Sequence, residues 1–417
     1  MHGAGRSSAD RQDERENRML AFRPLGAVAL STIALLPVLS TAASIDKERL
    51  ELIPQRLQEF VANGTISGAV YLVAHRGEVL AFDAVGASDV ENRKPMRKDT
   101  IVQIMSQTKT FTGVAALMLV EEGKLDLTRP VEDYLPEFKG QLVQEKRPDG
   151  TVATHTPEHP MTVWQLMCHS SGFGFLPSTG PLSRINFTLD TTLAETVRGF
   201  ARERLSAEPG TRYNYSNMGI ATLGRIVEVL SGRDYARFVQ ERILDPLGMA
   251  DTFFFPPESK RARIAMVYQH DNGKLALSRS RAQAGDPALF RAGAVYPGPE
   301  LGLYSTAENL LRFYQMLANG GVYNGRRYLA AQTVALMAMD HTPDHAGYGL
   351  TVNVASKPEK LLNLLSLGSF GHGGAFGTGG WIDPKKEMIL IFLAQMNDGS
   401  AGPAQHAFTQ IAESAIE

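Results

Sequence analysis

The sequence of 417 residues has a single cysteine and almost no net charge, and its apolar run is too short to cross a membrane. Cys168 alone forms no internal disulfide and argues against a cysteine-based metal site. A formal net charge of −2 implies no nucleic-acid partner. The apolar run from Leu25 to Leu39 falls short of the roughly 20 residues that a spanning helix needs. These absences favour an ordinary globular protein, and its length suggests one large domain or two lobes.

The apolar run near the start of the chain has the length of the hydrophobic region of a signal peptide. Arg23 precedes it, and the small residues Ser40-Thr41-Ala42-Ala43 follow it as a cleavage site. No cysteine follows, which excludes a bacterial lipoprotein anchor. We predict a leader and signal peptide over residues 1–43, with Met1 or Met19 as the start. The mature protein would be periplasmic or secreted, without a stable membrane anchor. The alternative is an unstructured leader beside a first core helix.

The tetrad Ser106-Gln107-Thr108-Lys109 stands where an extended apolar stretch turns into a predicted amphipathic helix. Side chains three residues apart lie on one face of a helix, so the lysine can reach the serine hydroxyl. A serine needs an adjacent base to act as a nucleophile, and a lysine can be that base once burial lowers its pKa. The same spacing recurs at Ser44-Ile45-Asp46-Lys47, which we interpret only as the start of a helix. Ser106 and Lys109 are therefore the candidate nucleophile and base.

Two further motifs follow along the chain. Tyr215-Ser216-Asn217 contains a phenol that can shuttle protons if a neighbouring lysine cation lowers its pKa. The alternative is a loop tyrosine packed on its ring. Gly371-His372-Gly373-Gly374-Ala375 contains glycines that let a substrate backbone approach closely. The alternative is a glycine-rich hairpin with a surface histidine.

In this order the three motifs resemble those of the serine beta-lactamase and penicillin-binding-protein superfamily. That superfamily reads Ser-x-x-Lys, then Tyr-x-Asn, then Lys-Thr-Gly or a variant. Within it, the chain is similar to the class C beta-lactamase-like branch and to the family VIII carboxylesterases. The resemblance extends from about residue 50 to the C-terminus, and further segments share it: Thr162–Gly172, Leu223–Thr252, Gly302–Ala307, Phe313 and Asp383-Pro384.

The resemblance implies a catalytic set and a substrate-binding set. The catalytic set is a nucleophile that forms an acyl-enzyme and an acid–base pair: Ser106, Lys109 and Tyr215. The substrate-binding set combines an amide, an imidazole and a short backbone segment: Asn217, His372, Gly373, Gly374 and Ala375. The amide would bind the substrate or orient the lysine. Two backbone N–H groups, those of Ser106 and Ala375, would hold the oxyanion.

The remaining sequence predicts an α+β fold. We expect strands at 68–74, 78–84, 348–354, 372–382 and 388–395, and helices at 50–61, 111–121, 193–204, 221–231, 235–243, 308–319 and from 404. Strands at both ends with helices between them imply an antiparallel sheet formed by the N- and C-terminal segments, flanked by helices, with an inserted, mainly helical lobe.

The resemblance implies the same beta-lactamase-like architecture over residues 44–417. The sheet lobe would take about 44–100 and 300–417, and the helical lobe about 101–299. The active site would lie between the lobes, with residues 173–191 forming a loop near it.

The third motif departs from the family pattern because His372 replaces the lysine of Lys-Thr-Gly. In beta-lactamases and D,D-peptidases that cation helps to bind the substrate carboxylate. A histidine with a pKa near 6.5 is mostly neutral at pH 7 and begins to charge towards pH 6. We therefore expect hydrolysis of carboxylic esters, as in family VIII carboxylesterases. One alternative is a beta-lactamase or D,D-peptidase-like amide hydrolase. Another is a non-catalytic penicillin-binding-like protein, against which the intact serine, lysine and tyrosine argue.

We expect no metal and no cofactor. His155 and His159, like His341 and His345, have a spacing that suits a metal on a helix. A proline inside each pair argues against a helix there. We interpret Cys168 as a small buried residue and not as a catalytic thiol. The expected partner is a small-molecule ester or beta-lactam, with no nucleic acid.

Overall fold

The computed structural model describes residues 44–177, 189–280, 283–284, 293–357 and 363–416. The signal peptide predicted over 1–43 lies outside these residues and stays a prediction, as does the loop predicted over 173–191 where it covers 178–188. Across the described ranges, no helix combines the length and the apolar character that crossing a bilayer requires.

The helices of the described residues follow one another as α1 (Lys47–Leu50), α2 (Leu52–Ala62), α3 (Thr108–Glu121), α4 (Val163–Met167), α5 (Leu193–Phe200), α6 (Asn217–Ser231), α7 (Tyr235–Val239), α8 (Ala307–Ala318), α9 (Ala331–Met337) and α10 (Gly402–Ser414). Shorter 3-10 turns occur at Met105–Gln107, Val131–Asp133, Pro136–Phe138 and Glu258–Arg263, and a π turn at Gln240–Leu244.

The strands are β1 (Gly68–His75), β2 (Glu78–Asp89), β3 (Lys94–Pro95), β4 (Val102–Gln103), β5 (Val143–Lys146), β6 (Val152–His155), β7 (Tyr268–Asp271), β8 (Lys274–Leu277), β9 (Arg279–Ser280), β10 (Gln283–Ala284), β11 (Tyr304–Ser305), β12 (Val322–Tyr323), β13 (Arg326–Arg327), β14 (Asn353–Val354), β15 (Phe370–Gly374), β16 (Thr378–Asp383) and β17 (Met388–Ala394).

The main sheet joins the two ends of the described chain. Its seven strands have the order β14-β15-β16-β17-β1-β2-β3, and neighbours are antiparallel. Strand β1 pairs with β17 so that Val70 lies opposite Leu393. This confirms the predicted α+β fold, with a sheet drawn from N- and C-terminal segments.

Both faces of the sheet centre are covered, which explains why every residue of β1 and β17 is buried. Val70 and Leu72 belong to one core cluster, and Tyr71 and Val73 belong to another. Because side chains alternate along a strand, these sets point to opposite faces. Helices α2 and α10 pack on one face, where Tyr71 meets Phe408 with ring centroids 6.0 Å apart. Helix α8 packs on the other face.

Helix α3 carries the first motif into the core. Its residues from Thr108 to Leu119 are all buried, so the predicted amphipathic character is wrong. It packs against α6, and Phe111 stacks on Phe313 of α8 with ring centroids 3.7 Å apart. A helix enclosed on all sides holds its first turn rigidly.

Most predicted elements occur within a few residues of their expected bounds, but three differ. The strand predicted over 372–382 is two strands, β15 and β16, because the chain reverses at Gly377, whose φ of 76° suits glycine. The strand predicted over 348–354 is mostly irregular, with Thr351 at a φ of 66°. The helix predicted over 235–243 ends as α7 and continues as a π turn. The lobe boundaries near residues 100 and 300 stay a prediction.

Candidate active site

The candidate nucleophile lies in a tight turn that precedes α3. Ser106 is partly exposed within the 3-10 turn Met105–Gln107, whose other members are buried. Met105 has a left-handed φ of 50°, which costs a non-glycine residue on the order of 1–3 kcal/mol. The Met105 side chain is buried against Val267 and Leu301. This packing stabilises the strained turn and fixes the position of the serine hydroxyl.

Lys109 lies on the first turn of α3 with 0% of its surface exposed. Its Nζ is 3.0 Å from Ser106 Oγ and 2.8 Å from the backbone oxygen of Glu300. Burial lowers the pKa of Lys109 to about 7, although the charge of Glu300 opposes this shift. At neutral pH a large share of molecules therefore carries an uncharged amine beside the serine. An uncharged amine has a lone pair, so this geometry fits a base that accepts the serine proton.

Tyr215 completes the group around the nucleophile. Its phenol is close enough to Ser106 for the serine to influence its pKa, and its ring centroid lies 4.8 Å from Lys109 Nζ. Burial raises the pKa of Tyr215 above its ordinary value of 10. The prediction that a lysine cation lowers this pKa is wrong, because burial disfavours the charged phenolate. Tyr215 therefore keeps its proton at neutral pH and can donate it or relay it.

Asn217 is the first residue of α6 and is 7% exposed. Its backbone N–H donates to the oxygen of Phe175 at 3.0 Å. Ser216 caps the helix by accepting from the N–H of Gly219 at 3.1 Å. Within the described part of the chain, Asn217 Oδ1 is buried and accepts no hydrogen bond. Lys109 Nζ bonds to Ser106 and to the backbone oxygen of Glu300, so both roles predicted for Asn217 stay predictions.

The third motif lies directly against the nucleophile turn. Thr378 Oγ1 of β16 donates to the backbone oxygen of Ile104 at 3.0 Å. A Cβ on Gly374 would stand 2.3 Å from that same oxygen, so only glycine allows β15 to approach this closely. Ala375 is exposed in the following turn. The fold thus brings the Ala375 segment close to the turn that carries Ser106, and the oxyanion role of the two N–H groups stays a prediction.

His372 lies in β15 and is 3% exposed. Its Nδ1 is 2.6 Å from the carbonyl of Gly373, so Nδ1 carries the proton and donates it. Its Nε2 then accepts from the hydroxyl of Tyr348 at 3.0 Å. Burial, with a contribution from the charge of Lys109, lowers the pKa of His372 to about 3. The expectation that it begins to charge towards pH 6 is therefore wrong, and His372 is neutral throughout the working range of an enzyme.

Three aromatic residues that the sequence did not mark as site residues surround Tyr215. The ring of His169 lies 4.3 Å from that of Tyr215 and 4.6 Å from that of Tyr348. Tyr213 lies 5.7 Å from Tyr348. The only sequence signal was the position of His169 inside the segment Thr162–Gly172, which carried the family resemblance. We call His169, Tyr213, Tyr215, Tyr348 and His372 the aromatic cluster.

Tyr348 is held by a carboxylate in an irregular loop. Asp340 accepts from the N–H groups of Gly347 and Tyr348, at 3.0 Å and 3.4 Å, and from the Ser356 hydroxyl at 3.0 Å. The carboxylate thus satisfies backbone N–H groups that would have bonded to a neighbouring strand if this segment were a strand. They fix the phenol that bonds His372.

Residues 44–177, 189–280, 283–284, 293–357 and 363–416 contain no group of three or more His, Cys, Asp or Glu side chains able to hold a metal ion. Cys168 is 1% exposed, and burial raises the pKa of its thiol to about 11. This confirms the interpretation of Cys168 as a buried residue.

Comparison with known proteins identifies the fold and the family. The Beta-lactamase family model matches residues 53–415. Esterase EstB of Burkholderia gladioli is 29% identical over 87% of this chain and 97% of its own. A putative D-alanyl-D-alanine carboxypeptidase of Escherichia coli K12 is 26% identical over 90% of both chains. The structure of EstCE1, a hydrolase with promiscuous acyltransferase activity, superposes with a TM-score of 0.74 at 24% identity, covering 88% of this chain and 99% of that one; at this identity it shows the fold alone. The chain therefore belongs to the beta-lactamase family, within the serine beta-lactamase and penicillin-binding-protein superfamily, and is a serine hydrolase.

Proposed function

We propose that this protein hydrolyses carboxylic esters through an acyl-enzyme on Ser106. The observation that carries the proposal is the fully buried Lys109, with Nζ 3.0 Å from Ser106 Oγ and a pKa near 7. A lysine in this state is a base at neutral pH, which a structural lysine on the surface is not. Similarity to a relative named as an esterase, EstB, supports this proposal.

In the first half of the reaction, the neutral amine of Lys109 accepts the proton of Ser106 while Oγ forms a bond to the substrate carbonyl carbon. The N–H groups of Ser106 and Ala375 hold the oxygen that becomes negative. Losing one such donor typically costs about 3 kcal/mol of transition-state stabilisation. When the carbonyl re-forms, the ester C–O bond breaks and the alcohol leaves with a proton from the Tyr215 phenol, which Lys109 ammonium replaces.

In the second half, water attacks the acyl-enzyme. Its proton passes to the Lys109 amine, directly or through Tyr215, as its oxygen bonds to the acyl carbon. The bond to Ser106 Oγ then breaks, and the serine regains its proton from the same pair. The raised pKa of Tyr215 keeps the phenol protonated between these steps, so it acts as a relay and not as a free phenolate.

The state of His372 supports a preference for esters. The family pattern has a lysine cation here for the substrate carboxylate, whereas this imidazole is 3% exposed, neutral and hydrogen-bonded to Tyr348. A neutral ester needs no such cation. The alternative is hydrolysis of a beta-lactam or a D-alanyl peptide, which the same acyl-enzyme would perform; the carboxypeptidase relative favours it.

Two measurements test the proposal. An active-site phosphonate should label Ser106 and no other serine, as read by mass spectrometry. Ser106→Ala should abolish the label, while Ser44→Ala, at the second Ser-x-x-Lys, should leave it unchanged. Assays of a p-nitrophenyl short-chain ester and a chromogenic cephalosporin, run side by side, then distinguish an esterase from a beta-lactam hydrolase. Faster turnover of the cephalosporin, expressed as kcat/KM, would replace the ester proposal by the alternative. A label on another serine would reject Ser106 itself.

A further inference from the structure

His169 contacts the backbone on both sides of the candidate proton relay. Its carbonyl accepts from the N–H of Asn214 at 2.7 Å, and its ring Nδ1 accepts from the N–H of Ser216 at 3.1 Å. Tyr215 therefore lies between two hydrogen bonds to one residue. Because Nδ1 is an acceptor, the proton of the neutral imidazole is on Nε2.

The ring of His169 also packs on the phenol ring that those bonds flank. Its centroid lies 4.3 Å from that of Tyr215, at an interplanar angle of 45°, and 4.6 Å from that of Tyr348. His169 itself is 0% exposed and has a left-handed φ of 58°. Strained conformations of this kind persist only where the surroundings over-determine them. The ring and the two hydrogen bonds together restrict both the backbone and the ring of Tyr215.

We propose that His169 is a positioning residue, which holds the Tyr215 phenol at Ser106. The inference rests on the proposed function only in taking Tyr215 as the proton relay. It assigns two separate tasks to one side chain: an acceptor for the N–H of Ser216, and a flat ring against the phenol. A proton on Nδ1 would abolish the first task, and burial, with a contribution from the charge of Lys109, holds the pKa of His169 well below its usual range.

A histidine that only fills space would not need this arrangement. Within the described residues, Nε2 of His169 is buried and has no hydrogen-bond partner. Burying a polar group without a partner lowers stability, and an apolar residue of similar size would avoid that loss. An apolar residue would, however, lack the acceptor that Nδ1 offers to the N–H of Ser216.

Two substitutions separate the two tasks. His169→Phe keeps a flat ring but removes the acceptor. His169→Asn removes the ring but keeps an acceptor on the same δ position, and asparagine tolerates a left-handed backbone. Each is made in the wild-type chain and in Tyr215→Phe, and the rate of phosphonate labelling is measured. We expect His169→Phe to slow labelling about 10- to 100-fold in the wild-type chain and to change nothing further in Tyr215→Phe. His169→Asn should recover part of the rate.

Hydrogen exchange at the Ser216 amide gives a second readout that does not depend on catalysis. Exchange of this amide should be faster in His169→Phe than in the wild type. In His169→Asn, which keeps an acceptor, it should be slower than in His169→Phe. If His169→Phe does not fold, His169→Leu takes its place in the exchange measurement alone, because leucine removes the ring as well as the acceptor. Equal slowing of labelling in both backgrounds, or unchanged exchange at Ser216, would overturn the proposal. If Tyr215→Phe labels as fast as the wild type, the relay role in the proposed function fails, and exchange at Ser216 alone then decides whether His169 holds the loop.

Discussion

The burial of Lys109 predicts a loss of stability that depends on pH. A lysine in the unfolded chain has a pKa of 10.5, and burial lowers the folded-state value to about 7. A difference of this size corresponds to on the order of 5 kcal/mol. Because the folded-state pKa is depressed, the loss is absent above the unfolded value, grows as pH falls and is complete below about pH 7. The candidate base therefore lowers the stability of the fold most at and below neutral pH.

Replacing the lysine by an apolar residue of similar length should reveal this effect. Lys109→Met should raise the free energy of unfolding most at pH 6, and the gain should shrink by about 1.4 kcal/mol per pH unit above pH 7. The hydrogen bonds to Ser106 and Glu300 that are lost reduce the gain by a roughly constant amount of about 1–3 kcal/mol. Urea unfolding at pH 6, 8 and 9 measures the difference. Lys139→Met, at an exposed position, is the matched control and should show no such trend.

The same pKa governs reactivity. In the wild-type chain, the rate of phosphonate labelling of Ser106 should rise with pH through about 7, as the ammonium of Lys109 loses its proton. A stability difference between Lys109→Met and the wild type that is constant from pH 6 to pH 9 would refute the reasoning. It would mean that Lys109 keeps an ordinary pKa and is not a base at neutral pH.

Burial raises the pKa of Glu413 to about 7. The stability that this carboxyl contributes is therefore fully present below pH 4.5 and is lost as the pH rises through about 7. Glu413→Gln should therefore gain on the order of 3 kcal/mol over the wild type between pH 5 and pH 8.5 in urea unfolding; a constant difference contradicts this. Gly374→Ala should abolish Ser106 labelling, because its Cβ would lie 2.3 Å from a backbone oxygen, whereas Gly373→Ala, with its nearest contact at 3.6 Å, should label normally. Phe175 is 52% exposed and stacks on the Tyr215 ring, so Phe175→Ala should raise KM about tenfold for a long-chain ester and leave an acetate ester unchanged. Equal changes for both esters would exclude an apolar contact.

The sequence predicted the elements whose signals are local. The apolar runs that became β1 and β17 are each a continuous stretch of the sequence, so a short window is enough to recognise them. The reversal at Gly377 was still misread as one continuous strand, since a glycine inside an apolar segment does not say whether it bends or continues. Spacing alone placed Lys109 on the same face as Ser106, and the distance of 3.0 Å agrees with that placement.

The electrostatic state of the site was beyond the reach of local patterns. The pKa of Tyr215 is predicted from a neighbouring lysine and that of His372 from the ordinary value of histidine, whereas burial raises the first and lowers the second. Burial sets these values, and burial arises from segments far apart in the chain, such as the loop that carries Tyr348. His169 was missed for the same reason, because its partner at Ser216 is 47 residues away.

The state of His372 changes how substrate selection is understood in this chain. A histidine near its ordinary pKa would attract a carboxylate more strongly as pH falls, whereas this imidazole donates to the carbonyl of Gly373 and accepts from Tyr348. Both ring nitrogens are occupied, so the ring joins β15 to the Tyr348 loop and offers no free donor to a substrate. Charge at this position is further opposed by the charge of Lys109. Selection by charge is therefore absent from the third motif, and we predict that a substrate beside Tyr215 contacts the exposed ring of Phe175.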